Sequence, residues 1–169
     1  MQQSAPLRLY RRATPEDAAA ISAIWEVVCE ERVHTAVTRP FTPQQEQAYI
    51  RSLSGREGIF IAEVDASIVG FQSLDLWADY SDAFDHVGVL GTIILPEWRR
   101  QGIGRRLAGH VLAHARASGF EKLVVYVRAG NAGARAFYES LGFVSKGVLE
   151  RQVKIDGQYE DEVFMELFL

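Results

Sequence analysis

The sequence predicts a single α/β (α+β) domain built on a mixed, largely antiparallel sheet. Apolar, β-branched runs of strand length alternate with segments of helical periodicity, in the order strand, two helices, three strands, helix, strand, helix and two strands. That alternation late in the chain is typical of a mixed sheet with helices on both faces. The 169 residues suffice for one domain with a substantial core and would be cramped as two. We therefore expect residues 1–169 to form one domain.

The composition describes an ordinary globular protein and excludes several classes. Hydrophobic residues make up 48% and charged residues 24%, which argues against disorder. The net charge of −4 argues against general nucleic-acid binding. The single cysteine, Cys29, cannot form an internal disulfide, and no apolar run approaches the ~18 residues that span a bilayer. The N-terminus lacks the apolar core of a signal peptide. We expect a cytoplasmic protein with no membrane partner.

Two capped helices follow the first strand. Leu7 to Arg11 alternates apolar and polar residues and predicts that strand. Thr14-Pro15 predicts a helix start, and helical spacing of apolar residues continues to about Glu31. Thr42-Pro43-Gln44-Gln45 has the spacing of a capping box and predicts the second helix. The loop between the helices, Arg32 to Phe41, is rich in side chains able to touch a ligand.

Three strands are predicted next. Gly58 to Val64 and Ile68 to Leu76 are apolar, β-branched runs separated by a three-residue turn, which indicates a hairpin. The following strand, Val87 to Leu95, contains Gly88 and Gly91. Glycine within a strand often marks a bulge or a close approach by a backbone or ligand.

The stretch from Thr92 to Gly104 predicts an anion site. The strand ends at Pro96, and a glycine-punctuated loop opens into a helix. Such a junction leaves backbone N–H groups unpaired where the helix dipole favours negative charge. Four arginines add positive charge to the same corner: Arg99, Arg100, Arg105 and Arg106. The spacing fits neither a dinucleotide fingerprint nor a Walker-type phosphate loop. We expect an anionic, phosphate-bearing ligand at Gln101 to Arg105.

The C-terminal part predicts a strand, a helix and a hairpin. Leu123 to Val127 is a compact apolar strand, and Asn131 caps the helix after it. Phe143 to Ile155 and Tyr159 to Leu169 flank Asp156-Gly157, a strong hairpin signal. The last strand is apolar enough for a homodimer contact, and an ordinary core explains it equally well.

Two motifs in this order resemble the GCN5-related N-acetyltransferase (GNAT) superfamily. The first is Arg99-x-x-Gly-x-Gly before a helix, and the second is Asn131-x-x-Ala-x-x-Phe-Tyr-x-x-x-Gly-Phe. The resemblance covers Val87 to Val144 firmly and the element order of the chain loosely. It implies a mixed, mostly antiparallel sheet of six to seven strands flanked by about four helices. It also implies acetyl-CoA as the acyl donor.

The resemblance further implies where the donor binds. The CoA pyrophosphate would lie on the backbone amides of Gln101 to Arg105. The pantetheine arm would enter a slot between Val89–Leu95 and Val124–Val127. The implied cofactor-binding residues are Ile93, Ile94, Leu95, Arg99, Arg100, Gln101, Gly102, Ile103, Gly104, Arg105, Asn131, Ala134 and Tyr138. Asn131 is in the first place a helix N-cap, with the CoA contact as an added role.

Tyr138 matches the family's general acid, placed to protonate the departing CoA thiolate. A thiol of pKa ~8.5 is a moderate leaving group that gains from a positioned phenol. The alternative is a packing tyrosine beside Phe137.

The base that would deprotonate the acceptor is not obvious in the sequence. Many relatives hold a glutamate on the strand before the phosphate loop, whereas Val87 to Leu95 contains no acid. His86 shares a face with Gly88, Leu90 and Thr92 by alternation and has a suitable pKa range. The alternatives are a surface histidine at a strand end, or Glu150, Glu160, Asp85 or a water relay as base.

The remaining candidates have plain explanations. The acidic, aromatic loop from Asp75 to Asp85 could attract a cationic amine, with Trp77 or Tyr80 as a cation–π surface, or it could merely be solvated. Cys29 is expected to pack rather than act as nucleophile. His34, His110 and His114 lack the spacing of a metal site, so no metal is predicted.

The predicted activity is transfer of acetyl from acetyl-CoA to a primary amine by direct attack in a ternary complex. One alternative is an acetyltransferase for protein N-termini or lysines, and another is a non-catalytic module that binds or senses acyl-CoA. The partners are therefore acetyl-CoA and an amine acceptor, without nucleic acid. The acceptor pocket consists of loops that carry no transferable signature.

Overall fold

The computed structural model describes residues 8–169, in which four α-helices flank one seven-stranded sheet. In chain order the elements are β1 (Arg8–Arg12), α1 (Ala18–Glu31), α2 (Pro43–Ser52), β2 (Gly58–Val64), β3 (Ser67–Leu76), β4 (Val87–Ile94), α3 (Ile103–Ala117), β5 (Lys122–Arg128), α4 (Ala132–Ser140), β6 (Val144–Ile155) and β7 (Gln158–Phe168). Short 3-10 turns precede α1, β4 and α3. The predicted fold class and element order are confirmed. Leu7, which the sequence assigns to the first strand, lies outside the described residues.

Local signals explain where the helices begin. The Thr42 N–H donates to Gln45 Oε1 at 2.9 Å, and the Gln45 N–H donates to Thr42 Oγ1 at 3.2 Å. These two bonds form the predicted capping box of α2. At the first helix, Pro15–Asp17 forms a 3-10 turn, and the α-helix begins only at Ala18. The turn is held by Asp17, which accepts from the Thr14 N–H and pairs with Arg11.

The sheet has the strand order β1-β2-β3-β4-β5-β7-β6, and β4–β5 is its single parallel pair within residues 8–169. That parallel pair is short: Val87 pairs with Lys122, Gly88 with Leu123, and Val89 with Val124. Beyond Val89 and Val124 both strands continue without pairing with each other, while β5 stays paired with β7 as far as Arg128. An opening therefore separates the carboxyl ends of β4 and β5.

Each face of the sheet has its own core. On one face, α1 and α2 pack against Ile59, Ile61, Phe71 and Ile93. On the other face, α3 and α4 pack against Leu74, Leu90, Leu123 and neighbouring residues. Because strand side chains alternate, Ser73 and Asp75 of β3 and Val89 and Gly91 of β4 belong to the α1/α2 face. Gln72 and Thr92 belong to the α3/α4 face. No helix within residues 8–169 is long and apolar enough to cross a membrane.

The glycines of β4 reflect close packing and not a bulge. The register between β3 and β4 runs from Gly70–Ile94 to Leu76–Gly88 without a shift. A Cβ at Gly88 would lie 2.8 Å from Leu123 Cδ2 and 2.9 Å from Leu74 Cδ1. Both leucines are fully buried, so neither can move away easily. The close approach that the sequence suggested as an alternative is therefore found at Gly88.

Gly88→Ala is expected to lower the free energy of unfolding by about 1–3 kcal/mol, because the added methyl group overpacks this site. Urea denaturation measures the loss. Gly91→Ala is the matched control, since its Cβ would meet only Ser73 Oγ at 3.1 Å. Equal losses in the two variants would contradict the packing argument.

The apolar last strand is explained by the core. Val163 and Met165 of β7 are buried against the α3/α4 side. The edge strand β6, in contrast, is exposed along most of its length, and Val144 and Val148 are each 56% exposed. An apolar surface therefore exists at this edge, on β6 more than on β7.

Candidate active site

The start of α3 has the geometry that the sequence predicts for an anion site. Gly102 is the N-cap in a left-handed conformation (φ 77°), so the helix begins without a side-chain cap. The first intrahelical bond runs from the Arg106 N–H to the Gly102 carbonyl at 3.1 Å. The N–H groups of Ile103, Gly104 and Arg105 therefore point out of the helix end without an intrahelical partner. In α4, by contrast, Asn131 Oδ1 accepts from the Ala134 N–H at 3.0 Å.

The arginines around this loop differ in their surroundings. Arg99 donates through Nε to the Ile94 carbonyl at 2.9 Å and through both terminal nitrogens to the Glu31 carboxylate at 2.8 and 2.6 Å. This pairing lowers the pKa of Glu31 and ties the loop to the end of α1. Arg100, Arg105 and Arg106 are exposed. The charge available to a bound anion therefore comes chiefly from these three arginines.

Gln101 reaches the loop backbone with its side chain. Its amide donates to the Glu97 carbonyl at 2.7 Å, which stabilises the turn before α3. Because the side chain is used in this way, Gln101 would bind an anion through its backbone N–H. Gly104 lies against α4, since a Cβ there would be 3.3 Å from the Phe137 ring. Glycine at this position lets the start of α3 approach the second motif closely.

The predicted slot coincides with the opening between β4 and β5. On its β3 side, β4 is paired without interruption, and the Leu95 N–H continues the pattern to the Val69 carbonyl at 3.0 Å. On the β5 side, the backbone from Leu90 to Ile94 has no strand partner. Ile93 and Ile94 pack into the two opposite cores, which holds this stretch rigid. Unpaired backbone groups along a rigid strand can receive the amides of an extended ligand.

Tyr138 lies beside this opening with its hydroxyl held by β4. The side chain is 5% exposed, and its oxygen lies 2.8 Å from Thr92 Oγ1. Burial raises the pKa of the phenol to about 12, so the hydroxyl stays protonated at neutral pH. Its ring also packs edge-on against Phe137 and Phe143. Tyr138 thus has a packing role and also carries a proton at the opening.

Gln72 is a buried member of this hydrogen-bond network that sequence reasoning missed. Its Nε2 donates to Thr92 Oγ1 at 2.7 Å, and its side chain is fully buried. Because Thr92 accepts this proton, its own hydroxyl is free to donate to Tyr138. The phenolic proton of Tyr138 is then available for another acceptor. A long polar side chain on the same strand face as Leu74 was the signal in the sequence.

The loop of residues 32–41 is anchored next to the opening. Arg128 Nη1 donates to the carbonyls of Arg32 and Thr35 at 2.6 and 3.1 Å. Asn131 Nδ2 donates to the His34 carbonyl at 3.4 Å. Asn131 therefore caps α4 with its oxygen and touches the loop with its nitrogen. These contacts hold the loop over the carboxyl end of β5.

The structure does not bring His86 and Tyr138 together. His86 is exposed and precedes β4, six positions before Thr92, which is roughly 20 Å along a strand. It lines a cavity of about 310 Å³ at the amino end of β4, together with Trp77, Phe84, Lys122 and Phe164. A separation of this size weighs against His86 as the base for a reaction at Tyr138.

The other predicted bases have different positions. Glu160 forms an ion pair with Arg128. Glu150 is exposed in the irregular segment between Leu149 and Val153. Asp85 is exposed after the 3-10 turn that precedes β4. None of these three carboxylates is brought to Tyr138 by a contact in the described part of the chain.

Asp75 lies in β3, as the predicted strand Ile68 to Leu76 implies, and not in the acidic loop that was also predicted from Asp75 to Asp85. It pairs directly with Val89, and its carboxylate accepts a hydrogen bond from the Tyr49 hydroxyl of α2. Trp77, two positions on, donates through Nε1 to the Tyr126 hydroxyl at 2.9 Å and so crosses β4 to β5. Tyr80 is 76% exposed, as expected for a solvated loop. The alternation Phe71, Ser73, Asp75 was the signal that could have placed Asp75 on the α1/α2 face.

The remaining histidines and the cysteine have packing contacts. Burial raises the pKa of the Cys29 thiol, which agrees with packing rather than nucleophilic reactivity. His110 stacks on Tyr10 at 5.4 Å between ring centroids. His114 packs on Phe60 and contacts the Arg56 carbonyl at 2.9 Å through Nε2.

A mixed sheet whose parallel strands part beside an uncapped helix start is the arrangement that the resemblance in the sequence implies. The chain belongs to the acetyltransferase (GNAT) family, whose family model matches residues 21–143. Both motifs that the sequence suggested lie within this match.

Individual relatives agree with this assignment. The chain is 37% identical over 87 residues to a mycothiol acetyltransferase of Thermobispora bispora. The aligned segment covers 51% of this chain and 30% of that protein. Over 83 residues it is 34% identical to the ribosomal protein bS18-alanine N-acetyltransferase of Escherichia coli, covering 49% and 56%. The chain thus spans between about a third and about half of the length of these relatives. An acetyltransferase structure from Salmonella typhimurium, solved with its cofactor acetyl-CoA, shares the fold with a TM-score of 0.88 at 22% identity, covering 96% of this chain and 94% of that one.

Proposed function

We propose that this protein transfers the acetyl group of acetyl-CoA to a primary amine by direct attack in a ternary complex. The observation that carries the proposal is the position of the Tyr138 hydroxyl, held by Thr92 beside the point where β4 and β5 part. A thioester lying in that opening would have its sulfur next to a protonated phenol. Membership in an acetyltransferase family supports the same reaction.

The donor would be held by the backbone more than by side chains. The pyrophosphate would lie on the amides of Gln101 to Arg105, with the charges of Arg100 and Arg105 close by. The pantetheine arm would run along Ile93 to Leu95 in the opening beside β5. Asn131 and Ala134, at the start of α4, would flank the arm opposite β4. Extended backbone and a helix end suit a ligand that is long, amide-bearing and anionic at one end.

The residues of the opening would then assist departure of the thiolate. As the amine nitrogen bonds to the acetyl carbon, the C–S bond breaks and the sulfur gains a proton from Tyr138. A covalent acyl-enzyme is not part of the proposal, because neither motif contributes a nucleophile and Cys29 is buried. The acceptor would approach from the α1/α2 face.

Two alternatives are kept. The name of the Escherichia coli relative, which acts on a ribosomal-protein alanine, supports an acceptor at a protein N-terminus. A non-catalytic acyl-CoA-binding module is supported by the absence of an acid from β4 and disfavoured by the buried Tyr138 hydroxyl.

The experiment is a CoA-release assay with acetyl-CoA and two acceptor panels, one of small primary amines and one of short peptides with free N-termini or lysines. We expect turnover with at least one small amine. Turnover with peptides alone would favour the protein acetyltransferase. CoA binding by calorimetry without turnover on either panel would favour the non-catalytic module, and failure to bind CoA would contradict all three.

The unit of activity is proposed to be one domain, formed by the single sheet and its four helices. A homodimer is proposed through the exposed edge strand β6, on the support of its apolar residues Val144 and Val148.

A further inference from the structure

We propose that Asp75, hydrogen-bonded to Tyr49, is the catalytic residue that accepts the proton of the acceptor ammonium. The inference rests on the proposed acetyl transfer and names the base that the strand β4 does not supply. It also explains why the acceptor would be an amine, because a partly buried carboxylate on the α1/α2 face attracts a cationic ammonium group.

The position of Asp75 follows from the sheet register. Asp75 is directly opposite Val89, and Val89 is the last residue of β4 that pairs with β5. Residues directly opposite on one face of an antiparallel pair have Cβ atoms about 5 Å apart. The carboxylate therefore lies one strand away from the point where the opening begins. From there it can reach an amine nitrogen directly or through one water.

The surroundings of Asp75 hold the carboxylate without neutralising it. Tyr49 from α2 donates to it, and Ser73 of β3 adds a second hydrogen bond. The other titratable groups nearby are the carboxyls of Glu57, before β2, and of Glu46 on α2, while β4 contributes only Val89. Within residues 8–169 no arginine, lysine or histidine forms an ion pair with Asp75. In this part of the chain, no cationic side chain therefore occupies the place beside Asp75 that the ammonium group of the acceptor would take.

The electrostatics suit a base. Burial raises the pKa of Asp75 above its usual range, and Glu57 adds to the same effect. Burial also raises the pKa of Glu46, whose Oε2 is buried and has no hydrogen-bond partner in the described part of the chain. A carboxylate with a raised pKa is a stronger base and lies closer to the amine pKa of ~10. A bound ammonium would in turn stabilise the charged form of Asp75.

The proton transfers balance. The acceptor arrives as R–NH3+, and Asp75 takes one proton to leave R–NH2. The nitrogen then forms the C–N bond to the acetyl carbon. As the C–S bond breaks, the CoA thiolate takes the proton of Tyr138, and the resulting phenolate takes the second proton from nitrogen. Asp75 releases its proton to solvent, so the products are the amide, CoA and one H+.

The test is Asp75→Asn in the full chain, assayed by CoA release with the best amine of the panel. We expect kcat/KM for the amine to fall by about 10²- to 10⁴-fold near pH 7, with CoA affinity unchanged. The deficit should shrink as the pH approaches the pKa of the amine, since unprotonated acceptor then needs no base. Asp79→Asn, the same substitution at an exposed loop residue, is the matched control.

Each outcome bears on a different claim. A wild-type protein without turnover contradicts the proposed function. Active wild type with an equally active Asp75→Asn overturns the role of Asp75 alone. A deficit that stays constant at every pH assigns Asp75 a structural role and also overturns the proposal. Thermal unfolding of Asp75→Asn at the wild-type temperature confirms that the variant is folded.

Discussion

Tyr138→Phe is expected to lower CoA release from acetyl-CoA by about 10²- to 10⁴-fold, the usual contribution of a positioned general acid. The substitution removes the hydroxyl that Thr92 holds 2.8 Å away and leaves the buried ring in place. CoA affinity should be preserved, because the backbone of β4 and the start of α3 are untouched. Steady-state CoA release and calorimetric CoA binding together measure the two effects.

The pH dependence of this loss carries further information. Burial raises the pKa of Tyr138 to about 12, so the phenol keeps its proton between about pH 6 and 10. The ratio of wild-type to variant rates should therefore be constant across that range. Tyr10→Phe is the control, since the buried Tyr10 hydroxyl has no hydrogen-bond partner within residues 8–169 and lies on β1, away from the opening. Unchanged turnover in Tyr138→Phe would remove Tyr138 from the mechanism.

Gly102→Asp is expected to weaken CoA binding by about 10- to 100-fold. Hydrogen bonds to a charged group contribute about 1.5–3 kcal/mol, and a carboxylate at the N-cap would both occupy those N–H groups and repel the pyrophosphate. The fold should tolerate the change, because a Cβ at Gly102 meets no atom of residues 8–169 within 4 Å. Aspartate also tolerates the left-handed conformation (φ 77°) better than most residues. Calorimetry with CoA measures the affinity.

The same helix supplies a matched control. Gly109→Asp adds the same charge on α3 at an exposed position, where a Cβ likewise meets nothing within 4 Å. It should bind CoA like the wild type, apart from a small long-range charge effect. Wild-type affinity in Gly102→Asp would contradict the pyrophosphate site at the start of α3. Gly104→Asp is less informative, because its Cβ would crowd the Phe137 ring.

Much of the fold follows from local sequence signals. The capping box at Thr42, the N-cap at Asn131 and the Asp156-Gly157 turn each depend on residues within a few positions of each other. Short-range hydrogen bonds and side-chain periodicity are encoded directly in such spacings, so the elements and their order could be predicted. The predicted start of the first helix was less accurate. The ion pair of Asp17 with Arg11 holds residues 15–17 in a 3-10 turn, so the α-helix begins only at Ala18.

The candidate site also has parts that are encoded locally and parts that depend on distant contacts. The uncapped helix start at Gly102 and the match of Tyr138 to a family motif are local, and the sequence alone supported the donor half of the reaction. The hydrogen-bond partners within the site are distant in sequence: Tyr49 lies 26 positions from the candidate base Asp75, and Thr92 lies 46 positions from Tyr138. No spacing rule connects such residues, so His86 and not Asp75 was the expected base.

By itself, the sequence determined the element order, the helix caps and the glycine-rich start of α3, because these depend on neighbouring residues. The tertiary structure alone decided where β4 and β5 part, that Arg99 pairs with Glu31, and that Asp75 faces α2 across from Val89. The physical reason is that strand register and face are set by packing between elements remote in the chain. A one-residue change of register would have turned Asp75 to the opposite face.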